Sequence, residues 1–194
     1  MLQCCPRELA VIMKKDDDIR LVEITKSEAY LSELRSKHST SYYYDISVLR
    51  KPGSWKIELT LKPLGNTSEK EYKGRLFEDH VEEPRVFAAV QEDRQIGWIE
   101  LGYDRWNNRM RVWEFLVEEG FRRKGIGTQL MEHAVKIAKE KGARMLVLET
   151  QTCLAATIDF YLKFGFELIG FDTAAYSNED VERKEVRLEL GLKL

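Results

Sequence analysis

The sequence predicts an α/β (α+β) protein, a single domain over residues 1–194 built on a mixed sheet that is mostly antiparallel. Two observations lead to this fold class. In the first half of the chain, apolar and polar residues alternate over several short segments, which is typical of half-buried strands. In the second half, segments with apolar residues at helical spacing alternate with short apolar runs, which indicates strand–helix–strand units.

The first half is interpreted mainly as a series of strands. Residues 54–64 alternate most clearly, and Pro63, Gly65 and Asn66 are expected to end that strand, because proline and glycine interrupt regular pairing. A polar turn at residues 91–94 is expected to join two later strands into a hairpin. The strands predicted here occupy residues 19–24, 54–64, 86–90, 96–103 and 110–117.

Three helices are predicted from the spacing of apolar side chains. The first covers residues 27–37, with Ser27 as its N-cap and Tyr30, Leu31 and Leu34 on one face. The other two end at a glycine, which can adopt the positive φ of a helix C-terminus. They cover residues 125–141 and 154–164 and end at Gly142 and Gly165. Short strands at residues 144–148, 166–171 and 185–190 complete the chain.

The composition argues against several classes of protein. The net charge of −2, from 31 basic and 33 acidic residues, does not favour nucleic-acid binding. No apolar stretch approaches the ~20 residues of a membrane-spanning helix. Cys4, Cys5 and Cys153 have no metal-ligand spacing, so neither a zinc site nor a disulfide framework is predicted. We expect a cytoplasmic protein with no metal, no nucleic-acid partner and no membrane partner.

A basic, glycine-containing turn at residues 120–128 lies between a predicted strand and a predicted helix. Glycines let neighbouring backbone N–H groups converge, and the first turn of a helix adds unpaired donors, so a phosphate or pyrophosphate is favoured there. Two familiar phosphate loops are excluded. Gly127 is followed by Thr128 and not by Lys-Ser/Thr, and Leu130 stands where the dinucleotide fingerprint has its third glycine.

Two motifs resemble those of the GNAT N-acetyltransferase superfamily. Arg122-x-x-Gly125-x-Gly127, which follows a predicted strand, is similar to its acetyl-CoA signature. Downstream, residues 160–166 (Phe-Tyr-Leu-Lys-Phe-Gly-Phe) resemble its second motif, an aromatic pair and then a Gly-Phe turn into a strand. The resemblance covers residues 85–172 approximately.

Three further runs are similar to the streptothricin acetyltransferase branch, whose members acetylate an amine of a cationic antibiotic. They lie at residues 106–109, 148–151 and 166–173, the last followed by Tyr176. The chain departs from the branch at Leu154 and Thr157, where Asn and Ala are usual. The expected partner is a small-molecule amine acceptor, with a streptothricin-like antibiotic as first candidate; a protein amine or a polyamine stays open.

The resemblance implies a GNAT fold with splayed central parallel strands, flanking helices and acetyl-CoA as co-substrate. The gap is expected between residues 110–117 and 144–150, within the cofactor-binding core, and residues 19–84 are expected on the acceptor side. Backbone N–H groups of Leu116 and Val117 would hold carbonyl groups of the cofactor. Its pyrophosphate would be held by Arg122, Arg123, Lys124, Gly125, Ile126, Gly127 and Thr128.

The resemblance also implies direct transfer to an amine without an acyl-enzyme, so Cys153 is not expected to act as a nucleophile. Glu114 and Glu149 are both candidates for the base, since each lies on one of the splayed strands, and the choice between them stays open. Tyr161 of the second motif is expected to donate a hydrogen bond or a proton to the leaving thiolate. A non-catalytic acyl-CoA-binding sensor is the alternative function, and a homodimer stays open.

Overall fold

A computed structural model describes residues 19–29 and 33–194. Over these residues the strands are β1 (Arg20–Ile24), β2 (Glu33–Lys51), β3 (Ser54–Arg75), β4 (Arg85–Gln91), β5 (Arg94–Asp104), β6 (Arg109–Val117), β7 (Met145–Gln151), β8 (Glu167–Asp172) and β9 (Arg187–Lys193). The helices are α1 (Lys26–Ala29), α2 (Ile126–Lys141), α3 (Ala155–Phe164) and α4 (Asp180–Arg183), with a 3-10 turn at Glu119–Phe121. None of these helices is long and apolar enough to cross a membrane.

Seven strands form one mixed sheet in the order β1-β4-β5-β6-β7-β9-β8, while β2 and β3 pair with each other in a separate long hairpin. Within the large sheet β6 and β7 are parallel, and the other neighbours are antiparallel. The predicted α/β (α+β) class with a mixed, mostly antiparallel sheet is therefore confirmed.

Helix α2 packs on the sheet, and its buried side chains belong to the main hydrophobic core cluster. Its apolar stripe is buried, as the helical spacing predicts, and its C-terminus is Gly142 in the left-handed conformation at φ +77°. The buried side chains of this stripe are Ile126, Leu130, Met131, Ala134, Ile137 and Ala138. Packing of α2 places its N-terminus next to the end of β6, where the glycine turn lies.

The two parallel strands separate at a bulge in β6. They pair from Arg109 opposite Met145 to Val112 opposite Leu148, and the pairing stops there. On the other edge of β6 the register with β5 shifts at the same level, so that Trp113 has no opposite residue. A bulge bends a strand and increases its local twist, which turns the rest of β6 away from β7. The predicted splay is confirmed.

The N-terminal hairpin corrects two predictions. The helix expected at residues 27–37 is wrong beyond Ala29, because β2 starts at Glu33; Tyr30 and Leu31 lie outside the described residues. Leu34 is buried in a core cluster on the sheet, and pairing with β3 satisfies the backbone of this segment, which outweighs its helical spacing.

The strand predicted to end at residue 64 in fact continues to Arg75. Pro63, Gly65 and Asn66 do not end this strand but belong to an irregularity within the hairpin. Tyr42 lies opposite Pro63 and Thr40 opposite Ser68, so the residues between Pro63 and Ser68 loop out opposite Ser41. Gly65 adopts φ +82° there, and pairing resumes beyond it. The hairpin consequently reaches as far as the centre of the large sheet.

Candidate active site

The glycine turn forms a concave group of backbone donors. Arg123 and Gly125 both adopt positive φ, +61° and +83°, and successive N–H groups in such a turn point toward a common centre. The backbone N–H of Gln129 donates a hydrogen bond to the carbonyl of Gly125 at 3.0 Å. The N–H groups of the residues before Gln129 therefore lie ahead of the i to i−4 hydrogen bonds of α2. No side chain caps this terminus in the described structure. The arrangement suits an anion such as a pyrophosphate.

The basic residues of the turn have different environments. Arg122 donates to the carbonyl oxygens of Val117 at 3.0 Å and Lys37 at 3.2 Å, and to the hydroxyl of Ser36 at 2.6 Å. Its side chain thus connects the end of β6 with β2. Lys124 instead places its ammonium 5.1 Å from the ring centre of Phe121. Within the described residues, Arg122 is therefore an anchor for the hairpin.

Among the described strands, none pairs after the bulge with the edge of β6 that faces β7. Leu116 and Val117 are paired with β5 on the other edge, through Trp98 and Gly97, and the ladder to β7 ended at Val112. On β7, the hydroxyl of Thr150 is buried and has no hydrogen-bond partner among the described residues. Buried polar groups of native proteins are almost always paired. These groups fit the amide-rich arm of an acyl-coenzyme A.

Glu114 lies on β6 just after the bulge and accepts hydrogen bonds from Tyr72 of β3. The phenolic oxygen is 2.6 Å from Oε1 and 2.7 Å from Oε2 of the carboxylate. Burial raises the pKa of Glu114 to about 7, with smaller contributions from the negative charges of Glu100 and Glu78, and the Tyr72 hydroxyl acts against this rise. A carboxyl with a pKa near neutrality can accept and release protons at physiological pH.

Tyr161 on α3 is buried among aromatic rings, at ring-centre distances of 5.5 Å from Phe160, 5.7 Å from Phe166 and 6.1 Å from Phe115. Burial and the nearby charge of Glu114 raise its pKa, so the phenol keeps its proton at neutral pH. The structure therefore brings together Tyr161 and Glu114, two of the three predicted catalytic residues.

Glu149, the third, lies among groups of the C-terminal part of the chain. Its carboxylate accepts a hydrogen bond from the hydroxyl of Tyr176 at 2.8 Å and lies 3.7 Å from the guanidinium of Arg187. It is exposed on β7, opposite Glu189 of β9. This environment is that of a solvated ion pair, so the geometry favours Glu114 over Glu149 as the base.

Sequence reasoning did not single out the residues that the hairpin contributes to this site. Tyr72 and Gly74 were outside the predicted strand, which was expected to end at residue 64. An added Cβ at Gly74 would lie 2.6 Å from the Tyr72 hydroxyl and 2.8 Å from both carboxylate oxygens of Glu114, so only glycine leaves room for this contact. Lys70, Tyr72 and Gly74 stand at alternate positions, which places them on one face of a strand. A strand prediction extended beyond residue 64 would have placed these residues on one face.

A cavity of about 120 Å³ lies between the hairpin and the start of α3. His38 and Lys70 line it from the hairpin, and Cys153 and Leu154 line it from the segment that follows β7. Burial raises the pKa of the Cys153 thiol, which keeps it protonated and poorly nucleophilic. Leu154 is apolar at the place where Asn was the usual residue, which makes this wall of the cavity apolar.

Comparison with known proteins agrees with this geometry. Residues 52–166, more than half of the chain, match the model of the acetyltransferase (GNAT) family. A streptothricin acetyltransferase of Streptomyces lavendulae is 40% identical over 93 residues, 47% of this chain and 49% of that protein. Streptothricin acetyltransferase A of Bacillus subtilis (strain 168) is 35% identical over 93 residues, 48% of this chain and 53% of that protein. The chain thus spans about half the length of the curated relatives it matches.

Solved structures extend the likeness to most of the fold. A nourseothricin acetyltransferase superposes with a TM-score of 0.72 at 27% identity, over 90% of this chain and 98% of that one. A candidate streptothricin acetyltransferase of Bacillus anthracis str. Ames, in complex with acetyl coenzyme A, superposes with a TM-score of 0.75 at 23% identity, over 91% of this chain and 98% of that one. From the family match and the splayed strands together, the chain belongs to the acetyltransferase (GNAT) family.

Proposed function

We propose that this protein is an acetyl-CoA-dependent N-acetyltransferase that transfers acetyl directly to a primary amine of a small cationic acceptor, with a streptothricin-like antibiotic as first candidate. The observation that carries the proposal is the gap between the separated strands β6 and β7. The N-terminus of α2, which has no side-chain cap, lies beside this gap, and Glu114 and Tyr161 lie within it. Family membership supports the reaction type, and the streptothricin acetyltransferase relatives support the acceptor.

The groups that would hold the cofactor are mostly backbone donors. Acetyl coenzyme A, when bound, supplies an acyl group activated as a thioester. The N–H groups of residues 124–128 at the start of α2, with Arg123 and Lys124, would bind the pyrophosphate. The free edge of β6 at Leu116 and Val117 would bind carbonyl groups of the arm and stabilise negative charge that develops on the acyl oxygen.

Glu114 would take the proton that the acceptor amine must lose. A primary ammonium has a pKa of about 10.4, so only about 0.04% is neutral at pH 7. Glu114, with a pKa near neutrality, accepts that proton directly or through a water molecule. The C–N bond then forms as the C–S bond breaks, and the hydroxyl of Tyr161 donates a hydrogen bond or its proton to the departing sulfur. The products are the acetamide and coenzyme A.

The charge around Glu114 favours a cationic acceptor. The negative charge of Glu78 raises the pKa of both Glu100 and Glu114, and that of Glu100 also raises the pKa of Glu114. Two further acidic residues near Glu78 in the sequence are engaged in ion pairs, Asp79 with Lys26 at 3.4 Å and Glu83 with Lys141 at 2.8 Å. A negative field at the acceptor side raises the local concentration of cations. Polyamines and protein amines share this charge and are the competing acceptors.

The test is release of free thiol from acetyl-CoA in the presence of streptothricin, an aminoglycoside, spermidine or a peptide with a free N-terminus. We expect turnover with streptothricin. Turnover only with a different amine would support the acetyltransferase activity and contradict streptothricin as the acceptor. Binding of acetyl-CoA by calorimetry without any turnover would favour the sensor function, and absence of binding would contradict the assignment of the pyrophosphate to residues 123–128.

A further inference from the structure

Strand β3 crosses the gap between the parallel strands β6 and β7 where they are separated. Tyr72 reaches β6 through Glu114, whereas Lys70, two residues earlier, donates to Gln151 at the end of β7. Lys70 also donates to Glu185 at 2.9 Å. Alternate residues of a strand lie on one face, so both side chains extend from the same face of β3. The hairpin is thereby attached to both splayed strands at their open ends.

We propose that Tyr72 is a positioning residue for Glu114, holding its carboxylate charged and oriented, and that β3 of the hairpin therefore forms the acceptor-side wall of the site. The inference rests on the proposed function only for the role of Glu114 as base. The coupling between the two side chains is a property of the free protein.

The close packing around this pair supports a built contact. The Tyr72 hydroxyl lies within 2.7 Å of both carboxylate oxygens, which restricts rotation of the carboxylate. Gly74 gives the pair its space, since a methyl group there would overlap the phenolic oxygen and both carboxylate oxygens. Tyr72 is 40% exposed and its hydroxyl meets a half-buried carboxylate, so this residue lies at the solvent side of the site.

The charges around Glu114 explain why it needs this donor. Glu100 faces it from β5, Glu78 from the segment before β4, and the Tyr161 phenol from α3. His80 lowers the pKa of Glu100. Among the described residues no Lys or Arg forms an ion pair with Glu114. The Tyr72 hydroxyl is thus the group that favours the charged carboxylate against burial and its acidic neighbours.

The first experiment is a ¹³C carboxyl NMR titration of the free protein, with the Glu114 resonance assigned by its loss in Glu114→Gln. We expect Tyr72→Phe to raise the titration midpoint of Glu114 by about one pH unit or more, the scale of a hydrogen bond to a charged group. Tyr44→Phe is the matched control. It removes a hydroxyl from the same hairpin, where it donates to Asp159 at 2.6 Å, and should leave the Glu114 midpoint unchanged.

The second readout is the pH profile of kcat/KM for the acceptor. In Tyr72→Phe the acidic limb should move to higher pH with the NMR midpoint, while the KM for acetyl-CoA stays within twofold. In the Glu114→Gln background the same substitution should have no further effect on kcat. If Tyr72→Phe misfolds, Gly74→Ala displaces the same pair and should shift the limb in the same direction.

The outcomes separate the two proposals. An unchanged Glu114 midpoint in Tyr72→Phe overturns the positioning role, whatever the turnover. A shifted midpoint and a shifted acidic limb support it. If the midpoint shifts in Tyr72→Phe but the wild-type protein releases no thiol with any amine, the coupling is supported and the proposed function is contradicted. A shifted midpoint with an unmoved acidic limb would mean that Glu114 is not the base, and the positioning role in catalysis would be refuted.

Discussion

Glu100 and Glu114 occupy directly opposite positions in the β5–β6 ladder. Glu100 is 1% exposed, and its Oε1 accepts a hydrogen bond from the backbone N–H of Phe77 at 2.6 Å. Like charges in directly opposite positions destabilise a sheet, so this pair is retained at a cost to the fold. Such a cost is expected at a functional site, where a carboxyl must titrate near neutral pH.

Replacement of Glu114 should distinguish it from Glu149. We expect Glu114→Gln to lower kcat by about 10²-fold or more, because general base catalysis is lost, with acetyl-CoA affinity retained. Glu149→Gln should cost less than about threefold, because its carboxylate serves a surface ion pair. Thiol-release kinetics and calorimetry measure both. A larger loss in Glu149→Gln would reverse the assignment.

Activity should rise with pH through about 7 in the wild-type protein. The base must be deprotonated to act, and burial raises the pKa of Glu114 to about 7, so the protonated, inactive form predominates below that value. The acidic limb of kcat/KM is therefore expected near pH 7, and its loss in Glu114→Gln would identify the group. An acidic limb near pH 4.5 would show that Glu114 is not the titrating residue.

The same residue should make stability depend on pH. The pKa of Glu114 is raised in the folded protein above its unfolded value of 4.5, so between these values the folded state binds more protons than the unfolded state. Stability contributed by this group is then present at low pH and falls as pH rises through about 7. Glu114→Gln should consequently raise Tm more at pH 8 than at pH 5. Equal shifts of Tm at both pH values would contradict this linkage.

Removal of the Tyr161 hydroxyl should affect catalysis and leave the fold intact. Tyr161→Phe keeps the ring and its aromatic packing, so it should change Tm little. We expect kcat to fall by about 10-fold or more, since the departing sulfur loses its donor, with unchanged acetyl-CoA affinity. Wild-type turnover in Tyr161→Phe would exclude it as the donor.

The glycine turn can be tested with a matched pair of glycine substitutions. Gly125 has φ +83°, where a side chain is strained, so Gly125→Ala should lower stability by roughly 1–2 kcal/mol. It should also raise the Kd for acetyl-CoA, because the N–H groups at the start of α2 are displaced. Gly120→Ala lies in the same turn without positive φ or a close neighbour and serves as the control. Equal acetyl-CoA affinities would contradict the pyrophosphate assignment.

Local sequence determined the central part of the fold. The apolar stripe of α2 and the two terminal glycines of α2 and α3 predict helices that the structure confirms. Two elements were displaced by two or three residues: β7 ends at Gln151 instead of residue 148, and β9 begins at Arg187 instead of residue 185. Strand ends depend on which partner continues alongside, and that partner is distant in sequence.

Only the tertiary structure decided how the acceptor side is built and which carboxylate is placed to act. Spacing of apolar residues cannot separate a helix from a long hairpin when pairing with another strand supplies the hydrogen bonds, as it does for β2 with β3. Glu114 and Glu149 are equivalent in sequence, each on a splayed strand. Burial and the Tyr72 hydroxyl distinguish Glu114, while Arg187 pairs with Glu149, because charge, solvent access and hydrogen bonding arise from residues far apart in the chain.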